Sequence, residues 1–378
     1  MDTTTPSFTL GIEEEYLLVD LESRDVVTEP PAGLLQDCER LIPDLVRAEF
    51  LTSQIEVGTH VCQTVREARD QLAWLRRSVS EAARARGLAP IAASTHPFSE
   101  WTQQKHTDKQ RYHVLARDMQ GVARRLLICG MHVHVAIDDD DLRIDLMNQA
   151  CYFLPHLLVL STSSPFWRGE DTGLMSYRLS VYDELPRTGL PSRFASWGEY
   201  KRHVDILVRA GLIADASMIW WDIRPSSRYP TLEMRITDIC TSLDDAVSVA
   251  ALYRCVLRML WRLRRSNQRW RIYDPLLIGE NRWRAKRYGT NEGLVDFGRG
   301  EIVACGDLIE ELIQLTAEDA CALDCQSEIL HCREIIRRGT SAHRQRNAFA
   351  AGLAAGSPRD RVLQEVVDLL VGETVCGL

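Results

Sequence analysis

The sequence FTLGIEEEYLLVD, residues 8–20, places three consecutive glutamates inside an apolar run. The flanking residues are β-branched, aromatic or leucine, and this composition predicts a strand. Because a strand points alternate side chains to opposite faces, Glu13 and Glu15 share one face and Glu14 takes the other. Two carboxylates on a half-buried face repel each other, and burial raises their pKa values. A Mg²⁺ or Mn²⁺ ion removes that repulsion, so this face is a candidate metal site, with a solvent-facing edge strand as the alternative.

Three further predicted strands also carry polar side chains at alternating positions. Their pairs are Gln54 and Glu56, His132 and His134, and Glu233 and Arg235. Four such pairs predict a sheet face that is costly to bury unless cations and anionic ligands occupy it. Alone, the two histidines are also compatible with a zinc pair or an exposed strand face. Glu233 and Arg235 alone are compatible with a surface salt bridge.

Long helical patterns separate the predicted strands. The strands are expected at about residues 8–19, 50–57, 90–93, 126–137 and 231–236. A capping box at Thr64 opens a helix that Gly87 ends. Further helices are expected at about residues 108–125, 142–160, 244–265, 307–315, 318–338 and 357–371. Because strands and helices do not alternate strictly, we expect an α+β fold in which helices cover one side of an antiparallel sheet.

Composition and charge restrict the class of protein. With 378 residues and 45% hydrophobic content, the chain can bury a large core as one big domain or two ordinary ones. The net charge of −8 is unlike that of a nucleic-acid-binding domain, and no apolar run approaches the roughly 18 residues of a membrane span. The N-terminus lacks a signal-peptide pattern, and the eleven scattered cysteines predict buried thiols in a reducing cytoplasm rather than a zinc site.

Several arginines stand in polar, turn-rich segments. Arg178 follows residues 171–177, Arg224 follows the sequence WWDI, and a basic cluster occupies residues 282–287. Arginine binds carboxylates and phosphates through a bidentate fork, although a solvated basic face explains the cluster equally well. The chain has no Walker A motif, so any ATP is bound without a glycine-rich phosphate loop. Residues 94–107 are expected to form either a mobile lid or an ordinary surface loop.

Together these segments resemble the glutamate–cysteine ligase type 2 family and, within it, the YbdK-type carboxylate–amine ligases. The resemblance rests on LGIEEEY (residues 10–16), SQIEV (53–57), GMHVHV (130–135), SSPFW (163–167) and residues 171–178, 185–191, 220–235 and 280–289. These motifs span most of the chain in the family's order. His60 and residues 179–182 depart from the family pattern, away from the predicted ligands, and bear on substrate choice.

The resemblance implies a glutamine synthetase-like fold in one catalytic domain over residues 1–378. In that fold a curved, mainly antiparallel sheet cups an open, funnel-shaped active site, and helices pack behind the sheet. The resemblance further implies ATP and Mg²⁺ or Mn²⁺ ions, the metal ligands being Glu13, Glu15, Glu56, His132 and Glu233. Contacts to nucleotide or phosphate are implied for His134, Arg235 and Arg287. The residues implied to act on the substrate carboxylate or the transferring phosphoryl group are Arg178, Arg224 and Arg235.

The implied reaction joins a carboxylate to an amine through an acyl phosphate, with release of ADP and phosphate. Glutamate and cysteine would give γ-glutamylcysteine, weakly in this branch of the family, so another carboxylate or amine remains open. A homodimer is also implied. The alternatives are a nucleotide-binding relative with little turnover, a zinc hydrolase that uses His132 and His134, and a phosphotransferase of the phosphagen-kinase kind.

Overall fold

A seven-stranded sheet lies at the centre of the fold. The structure is a computed structural model that describes residues 5–378. Its strands are β1 (Leu10–Asp20), β2 (Val46–Ala48), β3 (Gln54–Gly58), β4 (Leu88–Ile91), β5 (Met131–Ala136), β6 (Phe166–Trp167), β7 (Glu170–Asp171), β8 (Thr188–Gly189), β9 (Trp220–Trp221), β10 (Ile223–Pro225), β11 (Thr231–Met234), β12 (Leu294–Asp296) and β13 (Glu301–Val303). The large sheet has the order β10-β11-β5-β1-β3-β2, and β4 pairs with the end of β1. All of its strand pairs are antiparallel.

Helices make up most of the remaining chain. They are α1 (Leu34–Leu41), α2 (Val65–Arg84), α3 (Gln110–Met119), α4 (Gly121–Arg124), α5 (Asp140–Ala150), α6 (Leu154–Ser161), α7 (Arg178–Tyr182), α8 (Trp197–Arg209), α9 (Leu243–Arg265), α10 (Pro275–Tyr288), α11 (Cys305–Leu315), α12 (Ala317–Ala322), α13 (Gln326–Leu330), α14 (Cys332–Arg338), α15 (Ser341–Ala354) and α16 (Arg359–Thr374). The helices α2 and α9 pack against the large sheet and against each other. The predicted fold class, α+β with a mainly antiparallel sheet and helices behind it, is confirmed.

The two faces of β1 differ as the alternation predicts. Leu10, Ile12 and Tyr16 are at most 1% exposed and lie in the core, whereas Glu13 and Glu15 are only partly buried. The central strand therefore turns its apolar side chains toward the helices and two of its three glutamates toward the opposite face.

Glu14 lies on the helix-covered face, where α2 supplies its partner. Its carboxylate accepts hydrogen bonds from Arg76 Nε at 2.9 Å and Arg76 Nη2 at 2.6 Å, and from the Tyr16 hydroxyl at 2.6 Å. Arg76 also donates to the backbone carbonyls of Cys240 and Thr241. A buried ion pair is tolerated when its geometry is bidentate and its remaining donors are satisfied, as here. Glu14 is thus part of the core that joins β1, α2 and the segment before α9.

The structure corrects several predicted element bounds. The helix expected at residues 142–160 is two helices, α5 and α6, joined by a 3₁₀ turn at Cys151–Phe153, because Pro155 has no N–H to continue the first one. The helix expected at 318–338 is divided among α12, α13 and α14. The strand β2 and the helices α8, α10 and α15 were not predicted.

Within the segment 94–107, residues 94–99 are packed into the protein, whereas residues 100–107 are partly or fully exposed, and their role as lid or surface loop stays a prediction. Ser94, Thr95, His96 and Ser99 are buried, and Ser94 Oγ accepts a hydrogen bond from Ile239 N at 2.8 Å. The polar composition of residues 94–99 reflects internal hydrogen bonds rather than exposure. Nine of the eleven cysteines are buried free thiols, and two are exposed. Within residues 5–378 no helix has both the length and the apolar composition to cross a bilayer.

Candidate active site

A cavity of about 550 Å³ opens on the sheet face that the large helices leave uncovered. Strands from distant parts of the chain form its floor, and α3 and the end of α7 contribute to its walls. Nine of the ten predicted site residues line it: Glu13, Glu15, Glu56, His132, His134, Arg178, Arg224, Glu233 and Arg235. The sheet therefore brings together residues that are more than 200 positions apart in sequence.

Strand register explains why these side chains meet. Across neighbouring antiparallel strands, the facing pairs are Glu13 with His132, Glu15 with Glu56, Glu233 with His134, and Arg224 with Glu233. Directly facing side chains on one side of a sheet have their Cβ atoms about 4.5–5.5 Å apart. The alternation seen in each strand therefore becomes a continuous polar surface once the strands are paired.

The first group of potential metal ligands consists of Glu13, His134 and Glu233. One ligand atom from each lies within 4.8 Å of the others. Glu13 Oε2 is 3.6 Å from His134 Nε2, and that nitrogen is buried without a hydrogen-bond partner among the described residues. The other ring nitrogen, His134 Nδ1, is 2.9 Å from Thr231 Oγ1, which fixes the ring orientation. The predicted ligand His132 lies beside this group, with Nδ1 3.4 Å from Glu13 Oε2.

Two arginines hold Glu233 in this group. Arg224 donates from Nε to Oε2 at 2.8 Å and from Nη2 to Oε1 at 3.2 Å, and Arg235 Nη1 also donates to Oε1. Burial acts to raise the pKa of Glu233, but the charges of Arg235 and Arg224 lower it far below its ordinary value. Glu233 is therefore ionised, and its negative charge would be compensated jointly by the two arginines and by any bound cation.

The protonation of the other members of this group follows from the same charges. Burial acts to raise the pKa of Glu13, but His132 and His134 lower it well below its ordinary value. Burial and the charge of Arg235 lower the pKa of His132 to about 4. Burial acts to lower the pKa of His134, while Glu13 and Glu233 raise it, and the net direction is upward. At neutral pH, His132 is thus neutral and has a nitrogen lone pair available.

The second group consists of Glu15, Glu56 and Glu49, whose carboxylate oxygens lie within 4.8 Å of one another. Glu49 was not predicted. It lies between β2 and β3, and the antiparallel pairing of these strands returns it to the neighbourhood of Glu56. Recognition of the short strand β2 would have revealed it, but three residues give a weak periodic signal.

The second group has little compensating charge. Arg47 Nη1 is 3.8 Å from Glu56 Oε1, beyond hydrogen-bond distance, and Glu15 Oε2 accepts from Gly130 N at 2.7 Å. Burial and the charge of Glu49 raise the pKa of Glu15 to about 7. Burial and the charges of Glu49, Glu13 and Glu15 raise the pKa of Glu56 well above its ordinary value. Three converging carboxylates are the donor set that Mg²⁺ and Mn²⁺ prefer, so this group fits such an ion.

Among the buried cations that line the cavity, Arg178 differs in having no carboxylate partner. It is 2% exposed, and no carboxylate of residues 5–378 lies within 4.0 Å of its guanidinium. Its donors reach only the backbone carbonyls of Arg235 and Ile236, at 3.2 and 3.4 Å. The guanidinium stacks over the Tyr182 ring at 5.3 Å, and Tyr182 Oη accepts from Arg235 at 3.0 Å. An unpaired buried guanidinium on the wall of a cavity is suited to an anionic ligand.

Arg287, the tenth predicted residue, lies outside the cavity. Its guanidinium donates to the Gly173 carbonyl and stacks over Tyr288. The neighbouring basic residues also have structural partners, because Arg282 pairs with Asp183 and Asp222. The cluster at residues 282–287 thus contributes to the packing of α10, and the nucleotide contact of Arg287 stays a prediction.

Comparison with known proteins identifies relatives along almost the whole chain. The family model for Glutamate-cysteine ligase family 2 matches residues 9–366. A protein of Rhodospirillum rubrum named "Putative glutamate--cysteine ligase 2" is 62% identical over 377 residues, covering 99% of this chain and 97% of that protein. A protein of Paracoccus denitrificans with the same name is 53% identical over 371 residues, and the alignment covers 98% of this chain and 98% of that protein.

Two solved structures share the fold at low sequence identity. The glutamate–cysteine ligase of Francisella tularensis, determined in complex with AMP, has a TM-score of 0.69 and 13% identity, covering 97% of this chain and 89% of that one. The bifunctional glutathione synthetase of Pasteurella multocida has a TM-score of 0.68 and 16% identity, covering 97% of this chain and 52% of that one.

Proposed function

This chain belongs to Glutamate-cysteine ligase family 2, and on that premise we propose that it is an ATP-dependent carboxylate–amine ligase that works through an acyl phosphate. The observation that carries the proposal is the convergence of two groups of acidic ligands on one cavity floor. One divalent cation in each group, Mg²⁺ or Mn²⁺, would neutralise the phosphates of ATP and make their approach to the substrate carboxylate possible.

The proposed reaction has two steps, the first at the γ-phosphorus of ATP and the second at the acyl carbon. A carboxylate oxygen of the first substrate attacks the γ-phosphorus of ATP, and ADP leaves with the electrons of the broken P–O bond. The amine of the second substrate then attacks the acyl carbon, loses a proton, and expels phosphate. Because both partners in the first step are anions, the positive charges of Arg178, Arg224 and Arg235 lower the barrier by stabilising the negative charge that meets there.

The three arginines are suited to different parts of this task. Arg224 and Arg235 are engaged with Glu233 and so orient a ligand carboxylate. Arg178 has both of its terminal nitrogens near backbone carbonyls only and remains free to bind a substrate carboxylate or the transferring phosphoryl group. We assign Arg178 the direct contact with the anionic substrate.

Glutamate and cysteine are the substrates proposed first, with γ-glutamylcysteine as the product, because the relatives bear the name of that ligase. The AMP in the similar structure of the Francisella ligase supports an adenine nucleotide. A zinc hydrolase is not favoured, because the described residues offer one histidine and two carboxylates in the group that contains His134, and no group of two histidines with a third ligand. The cytoplasm and a homodimer remain predictions.

The test is a screen for ADP release in the presence of Mg²⁺ or Mn²⁺, across amino acids as carboxylate and amine, with products identified by mass spectrometry. An amide that forms only with ATP and a divalent cation is the expected result. Glu49→Gln should abolish most of this turnover, since it removes an oxygen ligand of the second group. Failure of ATP to bind with any divalent cation, measured by calorimetry, would remove the basis of the proposal.

A further inference from the structure

Asp238 lies outside the cavity, in the segment between β11 and α9, and the reaction described above does not use it. We propose that Asp238 is a positioning residue that fixes Arg178 for the anionic substrate, through Ser164. The identity of the ligand rests on the proposed function. The position of the Arg178 side chain does not, and it can be tested by structure alone.

The carboxylate of Asp238 is completely buried and gathers three donors. Its Oδ2 accepts from Ser163 N at 2.9 Å and from Ser164 Oγ at 2.7 Å, and its Oδ1 accepts from Ser176 Oγ at 2.8 Å. Asp238 is 0% exposed, and a carboxylate in such a place is tolerated only when several donors and a nearby cation compensate its charge. Burial raises the pKa of Asp238, and Arg178 is the cation that opposes this shift.

Ser164 connects this carboxylate to the first turn of α7. Its hydroxyl donates to Asp238 and accepts from the backbone N of Arg178 at 3.1 Å. The same backbone segment is held by Ser176, two residues before Arg178. Two hydroxyls that share one buried acceptor thus hold the position from which the Arg178 side chain extends, together with backbone hydrogen bonds such as Tyr177 N to Ser164 O at 2.9 Å.

The backbone of Asp238 also pairs with Gly130, which lies beneath the other end of the Arg178 side chain. Residues Gly130 and Asp238 form an antiparallel bridge, and the Arg178 guanidinium lies directly over Gly130, where an added Cβ would come within 2.9 Å of Cζ. Gly130 N in turn donates to Glu15. The carboxylate of Asp238 thus holds the backbone from which Arg178 extends, while the backbone of Asp238 pairs with Gly130, on which the guanidinium rests next to the predicted metal ligand Glu15.

The test compares Ser164→Ala with its neighbour Ser163→Ala. Both residues are buried, but the Ser163 hydroxyl accepts from Ser94 N and is not part of the connection to Arg178, since only its backbone N contacts Asp238. Loss of one hydrogen bond of this kind should lower kcat/KM roughly fivefold to tenfold in Ser164→Ala, mainly through a higher KM for one anionic substrate. Ser163→Ala should stay within about twofold of the wild type.

A double-mutant cycle with Arg178→Ala separates positioning from a general loss of structure. If Ser164 acts through Arg178, Ser164→Ala should have no further effect on kcat/KM in the Arg178→Ala background. An equal loss in both backgrounds, or an equal loss in Ser163→Ala, would overturn the proposal. Asp238→Asn keeps one acceptor oxygen, so its kcat/KM should lie between that of the wild type and that of Ser164→Ala.

Crystal structures of Ser164→Ala and Ser163→Ala test the structural part without any turnover. A guanidinium displaced from Gly130 in the first variant and retained in the second is the expected result. If the wild type releases no ADP with any substrate pair, the proposed function fails while this comparison still decides the role of Ser164. An unmoved Arg178 in Ser164→Ala would refute the positioning role even if the enzyme is active.

Discussion

Glu14 and Glu15 are consecutive glutamates on one strand, yet their surroundings are opposite. Glu14 is 0% exposed and is fully paired with Arg76 and Tyr16, both of which the chain itself supplies. Glu15 faces two further carboxylates, Glu49 and Glu56, and the only direct donor to its carboxylate among the described residues is a backbone N–H. Where the protein provides the counter-charge, the carboxylate serves the fold. Where the protein adds further negative charge instead, as at Glu15, a cation from solution is needed, and the carboxylates act as its ligands.

The largest effect on stability is expected on the Glu14 side. Glu14→Gln would leave the Arg76 guanidinium buried without its counter-charge, and the free energy of unfolding should fall by about 3–5 kcal/mol. Chemical denaturation measures this change, with Glu15→Gln as the neighbouring control that should not destabilise. Joint replacement as Glu14→Leu with Arg76→Met should recover much of the loss. Equal destabilisation by Glu14→Gln and Glu15→Gln would contradict the comparison.

The largest effect on activity is expected on the Glu15 side. Glu56→Gln removes one oxygen of the second group, and ADP release should fall by about 100-fold or more because a bound cation supplies several kcal/mol to phosphoryl transfer. Without divalent cations, the melting temperature of Glu56→Gln should equal or exceed that of the wild type, since one of the three carboxylates that repel one another has lost its charge. Glu310→Gln, at an exposed pair with Arg333, is the control for loss of a carboxylate elsewhere. A fully active Glu56→Gln would exclude this group from the site.

Gly130→Ala should disturb the site without disturbing the Glu14 side. The added methyl would meet the flexible guanidinium of Arg178 and displace it, since no left-handed backbone angle is required at this glycine. We expect a decrease of roughly tenfold in kcat/KM with the melting temperature nearly unchanged. Steady-state kinetics and thermal unfolding measure the two quantities. A large loss of stability with no change in KM would show that Gly130 matters to packing instead.

The raised pKa of Glu15 should make the stability of the fold depend on pH. The pKa of Glu15 is raised from 4.5 to about 7, so between these values the folded state binds more protons than the unfolded state, and stability falls as pH rises through this window. Thermal unfolding without divalent cations should show this decline in the wild type and a smaller one in Glu15→Gln. Because Mg²⁺ binds the ionised form, it should raise the melting temperature more at about pH 8 than at about pH 6. An equal effect of Mg²⁺ at both pH values would argue against ionisation of this group on binding.

The smallest effect is expected at Arg287, which sequence analysis placed in the site and the structure places outside it. Arg287→Ala removes a hydrogen bond to the Gly173 carbonyl, and the activity should stay within about twofold of the wild type. Assay under the conditions used for Glu56→Gln gives the comparison. A loss of tenfold or more would instead support the nucleotide contact that the family resemblance implies for Arg287.

Sequence analysis predicted most of the cavity floor, because alternation along a strand is a local property. The faces of Glu13, Glu14 and Glu15 followed from the two-residue period of β1, and the same period placed His132 with His134. The resemblance to the family added the order of the motifs, which the family match over residues 9–366 confirms. The basic cluster was the least certain part, because a basic cluster on a helix has the same composition whether it binds a ligand or carboxylates of the protein, as Arg282 binds Asp183 and Asp222.

The amino-acid sequence alone determined which residues share a strand face and which strands can form a half-polar sheet. It could not determine which faces meet, because the sheet order β10-β11-β5-β1-β3-β2 joins segments far apart in the chain and depends on the packing of the whole core. Only the tertiary structure brought Glu49 to Glu15, gave Glu14 its partner Arg76, and connected Asp238 to Arg178 through a serine. Charge is compensated across space rather than along the sequence, so the division between structural and ligand-binding carboxylates became visible only after folding.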